Sequence, residues 1–232
     1  MLTTDPRARL AAWQPGLWRF RWGSGTAALA GVIDRWGDLS VLERAVPGSH
    51  GIVGAGQIHG ASIAAVERPS EPVPGCDALV TQARGLVLVC RSADCLPIWV
   101  EDPHQRLIGL AHVGWRGLVR HLPLRLVAFL TTHYHCNPAH LRIGIGPAIG
   151  PCCYEVGPDF PSFFSPFLRQ DQGRQTCDLV ACARQQVLSA GVLPRQITQA
   201  GICTSCDNTR WFSVRREGEH TGRNVSLIVL PP

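Results

Sequence analysis

The chain has 232 residues, 45% hydrophobic and 17% charged, with a formal net charge of +5; this excludes a disordered or collagen-like chain and is long enough for one full hydrophobic core. All 22 Lys+Arg residues are arginine, which removes Schiff-base lysine chemistry, a lysine general base and a Walker loop. The arginines are scattered, with Arg215-Arg216 the only adjacent pair, so a nucleic-acid partner is not expected.

At the N-terminus, "MLTTDPRARLAAWQPG" carries Asp5 and Pro6 where a signal peptide would place roughly 7–15 apolar residues. No later run reaches the roughly 18 apolar residues of a membrane span. A cytoplasmic protein without membrane contact is expected. Apolar runs predict strands at 51–53, 86–90, 96–100, 107–111, 141–145 and 225–230. Leu118, Leu122, Leu126, Phe129 and Leu130 recur at helical spacing after "GWRG", with Pro123 breaking or starting that helix. A second helix opens on Asp178 as N-cap, runs through Leu179, Cys182, Ala183 and Val187, and ends at Gly191 and Pro194. Strands mixed with few helices predict an α+β class, a single layered domain with a mixed β-sheet flanked by helices.

The glycines of "GIGPAIGPCCYEVG" (144–157) have the wrong spacing for a dinucleotide loop, and Pro147 removes an N–H that a phosphate would want. The segment reads as a tight-turning loop that lines a pocket. Among the ten cysteines, Cys76, Cys90, Cys136, Cys177 and Cys182 stand in bland surroundings as small hydrophobes. Cys203 and Cys206 form one CxxC, and Cys152-Cys153 are adjacent. A structural zinc needs a second such pair, or histidines at ligand spacing, so the CxxC reads as a buried or edge thiol pair.

Three polar groups stand at the ends of apolar runs: His59 in "GQIHG", Cys95 in "SADCLPIWVED" and His112 in "LAHVGWRG". They are too far apart for a local zinc finger, yet three strand ends can meet at one rim of a sheet. One cysteine with two histidines is a recognised catalytic zinc set that leaves the fourth position open. On spacing alone, histidines satisfied by ordinary hydrogen bonds remain the competing reading.

Taken in order, "GQIHG", "CDALVT", "SADCLPIWVED", "LAHVGWRG", "IGPAIGPCCYEVG" and "CTSCDNTRWFSVRREGEHTGR" resemble the successive motifs of the YfiH-like, laccase-domain family, once labelled polyphenol oxidase and now associated with purine nucleoside phosphorylase activity. The resemblance covers about residues 51–230. Residues 1–50 are divergent, with only Gly37-Asp38 corresponding, and Ser92 and Val113 stand where Thr and Ala are usual. The resemblance implies one domain over 1–232 with the CNF-toxin/YfiH-like fold, and zinc on His59, Cys95 and His112, with copper as the alternative ion. It further implies phosphorolysis of adenosine, inosine and S-methyl-5'-thioadenosine, and deamination of adenosine; purine nucleosides and phosphate are the expected partners, and a homodimer is compatible with it.

The remaining roles follow residue chemistry. Asp94, beside the thiol, is the candidate catalytic carboxylate, or else the acceptor that orients His59 or His112. Arg116 is expected to point toward the pocket and meet phosphate at the start of the helix after "GWRG", and Trp115 reads as a packed core residue. Gln57, two residues before His59 and so on the same strand face, is expected at base or ribose. Arg215, Arg216 and Arg223 are candidates to hold phosphate. Three rivals stand beside this reading. One is a metal-free hydrolase of cell-wall precursors with Cys95 as nucleophile and a histidine base. Another is a copper-dependent phenol oxidase, for which the single H-x-H motif, "HYH" at 133–135, falls short. The third is a binding module that turns nothing over.

Overall fold

The computed structural model describes residues 9–22, 27–171 and 173–232; Asp5 and Pro6 lie outside them. In chain order the elements are β1 (Leu10–Gln14), β2 (Leu17–Phe20), β3 (Leu29–Ile33), α1 (Val41–Ala45), β4 (Gly51–Gly54), β5 (Ile63–Ala65), β6 (Ala78–Thr81), β7 (Leu86–Ser92), β8 (Leu96–Asp102) and β9 (Leu107–Val113). Then follow α2 (Trp115–Val119), α3 (Leu122–Tyr134), β10 (Arg142–Ile145), the hairpin β11 (Leu168–Asp171) and β12 (Arg174–Cys177), α4 (Leu179–Ser189), β13 (Ile197–Gln199), α5 (Val214–Glu217) and β14 (Asn224–Val229).

They build two six-stranded mixed sheets, ordered β1-β2-β3-β14-β7-β4 and β13-β10-β8-β9-β6-β5. The class is α+β as expected, but there are two stacked sheets where one was read. The reason is visible on β8, whose seven residues are all buried. Trp99 enters the layer between the sheets, beside Phe20, Leu88 and Ile228. Ile98 and Val100 face the other way, toward Leu126 and Leu130 of α3 and Val187 of α4. A strand covered on both faces shows no apolar–polar alternation, so its sequence does not announce a second sheet.

The glycines of the 144–157 segment serve this packing. A Cβ on Gly144 would lie 2.6 Å from the Phe20 ring, and one on Gly146 would lie 2.7 Å from the Trp99 ring. Trp99 is fully buried, and truncating such a side chain to alanine costs about 3–5 kcal/mol.

The helices behave as local chemistry dictates. Pro123 occupies the first turn of α3, where its missing N–H costs nothing. It thereby starts α3 and separates it from the short α2, with His121 in the left-handed region between them. Asp178 caps α4 by accepting from the Ala181 N–H at 2.9 Å. No helix among the described residues is long and apolar enough to cross a membrane.

Candidate active site

β8 and β9 pair antiparallel, with Pro97 opposite His112, so the residue preceding β8 and the penultimate residue of β9 come to the same corner. The segment between β4 and β5 closes that corner from the side. There Gln57 and His59 have φ of 55° and 56°, an uncommon left-handed conformation for non-glycine residues. Asp77, fully buried just before β6, holds it in place: its Oδ1 accepts the His59 N–H at 2.9 Å and its Oδ2 accepts the Gly60 N–H at 2.6 Å. The same carboxylate meets His112 Nδ1 at 3.2 Å.

The result brings His59, Cys95 and His112 together, with one ligand-type atom from each within 4.8 Å of the others. His59 is exposed, Cys95 half-buried and His112 buried. Gly114 leaves the corner room, since a Cβ there would lie 3.0 Å from Cys95 Sγ and 3.2 Å from the His59 ring. Burial opposes ionisation of Cys95, but hydrogen bonds to His112 and His59, together with their positive charge, bring its thiol down to about 7. Burial likewise opposes the charged form of His112, yet the bonds to Asp77 and Cys95 outweigh it and raise the imidazole to about 9. The arrangement favours a thiolate beside imidazole donors.

This donor set fits a metal. One thiolate and two imidazoles are soft-to-borderline ligands that leave a coordination position open. With Nδ1 of His112 engaged by Asp77, its Nε2 is the nitrogen left for an ion.

Above the corner lies a cavity of about 650 Å³ whose wall includes Gln57, Asp94, Arg116, Tyr154, Arg215 and Arg223, with Arg91 and Glu219 beside them. Gln57 is not on a strand, because β4 ends at Gly54, so the shared strand face with His59 does not exist. Its amide instead bridges the Arg91 backbone, donating to the carbonyl at 2.6 Å and accepting from the N–H at 2.8 Å. Asp94 does not orient either histidine; Asp77 holds His112 and the backbone of His59. The Asp94 carboxylate accepts from the Thr204 hydroxyl and from the Arg215 backbone N–H, each at 2.7 Å.

Arg116 is exposed and stacks over the Trp115 ring at 4.3 Å, and Trp115 packs partly buried against the helical core. Arg215 lies over Tyr154 at 5.0 Å and donates to the Glu155 carbonyl at 2.7 Å. Arg223 donates to the backbone carbonyls of Thr221 and Gly222. Arg216 is not on the cavity wall: its guanidinium holds the carbonyls of Thr204, Ser205 and Trp211 at 2.6–2.8 Å. Four residues of the site went unread in the sequence: Asp77, Arg91, Tyr154 and Glu219. The signal for Asp77 was an acid standing between Cys76 and the apolar run "ALV".

Residues 39–231 match the family model described as multi-copper polyphenol oxidoreductase laccase. The chain is 36% identical over 190 residues to "Purine nucleoside phosphorylase YlmD" of Geobacillus stearothermophilus, covering 74% of this chain and 69% of that protein. It is 30% identical over 172 residues to "Adenosine deaminase RL5" of an unknown prokaryotic organism, covering 72% of this chain and 65% of that one. The crystal structure of YlmD from Geobacillus stearothermophilus superposes with a TM-score of 0.86 at 30% identity, covering 97% of this chain and 99% of that chain.

Proposed function

Because the chain belongs to the YfiH-like, laccase-domain family, matched over residues 39–231, we propose that it is a zinc-dependent purine nucleoside phosphorylase that also deaminates adenosine. Adenosine, inosine and S-methyl-5'-thioadenosine are the substrates. The observation that carries the reading is the three-donor corner at the floor of a cavity rimmed by arginines. Relatives named purine nucleoside phosphorylase and adenosine deaminase support both activities.

Zinc held by His59, Cys95 and His112 would supply Lewis acidity toward the bound substrate. The chain's own residues do the rest. Arg91, Arg116, Arg215 and Arg223 border the cavity with no lysine to compete, and a guanidinium fork matches phosphate geometry. In phosphorolysis a phosphate oxygen bonds to the sugar C1′ as the bond to the base breaks, and the base leaves with a proton. In deamination water adds at C6 of adenine and ammonia leaves. Asp94 is the carboxylate for the proton transfers. Asp94 lines the cavity, and each of its oxygens accepts one protein hydrogen bond, which leaves each a further lone pair. Tyr154 and Gln57 border the space for base and ribose. A cytoplasmic setting, in which the ten cysteines form no disulfide, belongs to the same reading.

One observation favours a second reading. Cys95 at about 7, His112 and Asp77 form a nucleophile, base and orienting acid in series, the set of a metal-free thiol hydrolase. A multicopper centre is disfavoured by the donors. Among the described residues, neither candidate metal group holds more than two histidines, and His133 of the "HYH" motif is bonded to the Phe129 carbonyl.

The test is release of base from adenosine and inosine, with and without phosphate, alongside the metal content of the protein. Phosphate-dependent base release by zinc-loaded protein is expected. Turnover by metal-free protein that iodoacetamide abolishes would replace this reading with the thiol hydrolase.

A further inference from the structure

A second cluster of metal-type ligands lies apart from the cavity floor. Cys152 and Cys153, in the loop after β10, meet Cys203 and Cys206, in the segment between β13 and α5, and the four sulfurs lie within 4.8 Å of one another. The CxxC of the sequence lacked a second pair; the fold supplies it from the adjacent cysteines some fifty residues earlier. We infer that Cys152, Cys153, Cys203 and Cys206 form a closed four-thiolate site that takes one zinc ion and fastens these two segments together.

The geometry suits an ion at the centre. Cys206 Sγ lies 3.5 Å from Cys152 Sγ and 3.4 Å from Cys153 Sγ. Four sulfurs about 2.3 Å from a tetrahedral zinc stand roughly 3.8 Å from one another. Gly150 makes room, since a Cβ there would lie 3.2 Å from Cys152 Sγ and 3.3 Å from Cys203 Cβ. Its N–H donates to Cys203 Sγ at 3.2 Å, an outer contact that steadies a ligating thiolate. An all-sulfur donor set selects a soft or borderline ion such as zinc over magnesium, calcium or manganese. Cys152 and Cys206 are exposed, which gives the ion a route in.

Four protein ligands leave no position for a substrate, so the role is structural. What it fastens matters to the cavity. Ala148 and Thr204 belong to the two joined segments and are already bonded, the Thr204 N–H to the Ala148 carbonyl at 3.0 Å. The Thr204 hydroxyl donates to Asp94, and Arg215 donates to Cys153 and Glu155 carbonyls. The four-thiolate site thus fixes Asp94 and Arg215 on the cavity wall without touching the substrate.

Zinc counting on purified, reduced protein tests this independently of the first site. The Cys95→Ser chain, supplied with zinc, keeps one ion per chain, and that ion is lost on further changing Cys206→Ser. Because the serine change can impair folding, cobalt(II) added to Cys95→Ser protein provides a second reading: a tetrahedral four-thiolate spectrum is expected. A Cys206→His chain keeps its ion with the spectrum of three sulfurs and one nitrogen. The inference is overturned if folded Cys95→Ser protein takes up neither zinc nor cobalt, or if protein purified in the presence of a reductant still holds a disulfide among the four cysteines.

Discussion

Two regions of this molecule gather cysteines, and they gather them in opposite ways. At the end of β8, Cys95 meets two histidines under an open cavity, with a buried aspartate behind His112. Beyond the Asp94 turn, four cysteines meet one another between two loops. On a four-coordinate ion the first set would leave a position free for chemistry, and the second would fill every position. Neighbours decide the difference more than the thiol does. Cys90 is buried only five residues before Cys95, and burial with the nearby Cys95 charge drives its thiol upward, whereas histidines hold Cys95 near 7. Cys136, Cys177 and Cys182 are likewise pushed up by burial to about 12, as expected of thiols that only pack.

The contrast can be broken most severely at Cys95. Cys95→Ala should remove base release by more than the roughly 100-fold that outer-shell changes reach, while circular dichroism shows the fold intact. Near-normal turnover by that protein would dissolve the distinction between the two regions. Asp77→Asn comes next. It should weaken metal affinity at the open site by about 10–100-fold, read by competition with a chelator, and leave the four-thiolate ion untouched. Equal loss from both regions would show that Asp77 supports the fold at large and not the open site.

Neighbouring arginines give a smaller effect and a sharper one. Arg215→Ala should raise the KM for phosphate about tenfold, since a hydrogen bond to a charged group contributes about 1.5–3 kcal/mol and about 1.4 kcal/mol is tenfold. Arg216→Ala should leave that KM unchanged and lower the Tm, because its guanidinium serves three backbone carbonyls. A phosphate effect from Arg216 equal to that of Arg215 would remove both assignments.

The legible parts of the sequence were its long apolar runs. Strands β7, β8, β9 and β14 fall within two residues of their expected ranges, since each run is bounded by polar residues, glycine or proline. Strands β1 and β2 went unread because "LAAWQ" and "LWRF" are short and mix polar with apolar residues. Pairing of β2 with Ile33 and its neighbours, and of β1 with β2, makes them strands, and that is tertiary information. In the site, Cys95 and His112 were legible from strand ends and motifs, and His59 from its motif alone, since it stands in the loop after β4 ends at Gly54. Gln57 was misplaced because a left-handed turn, invisible to period-two counting, interrupts the chain there. The four-thiol cluster was illegible because tertiary pairing, of β10 with β13 and of Ala148 with Cys203, brings the two cysteine pairs into register.

The central claim is that the open corner at His59, Cys95 and His112 is a zinc site on which nucleoside phosphorolysis depends. The most direct measurement is phosphate-dependent release of hypoxanthine from inosine by one preparation in three states: as purified, stripped by a chelator that leaves the protein folded, and resupplied with zinc. Activity that falls on stripping and returns with zinc, but fails to return in Cys95→Ala, is the predicted result. Undiminished phosphorolysis by stripped protein would contradict it.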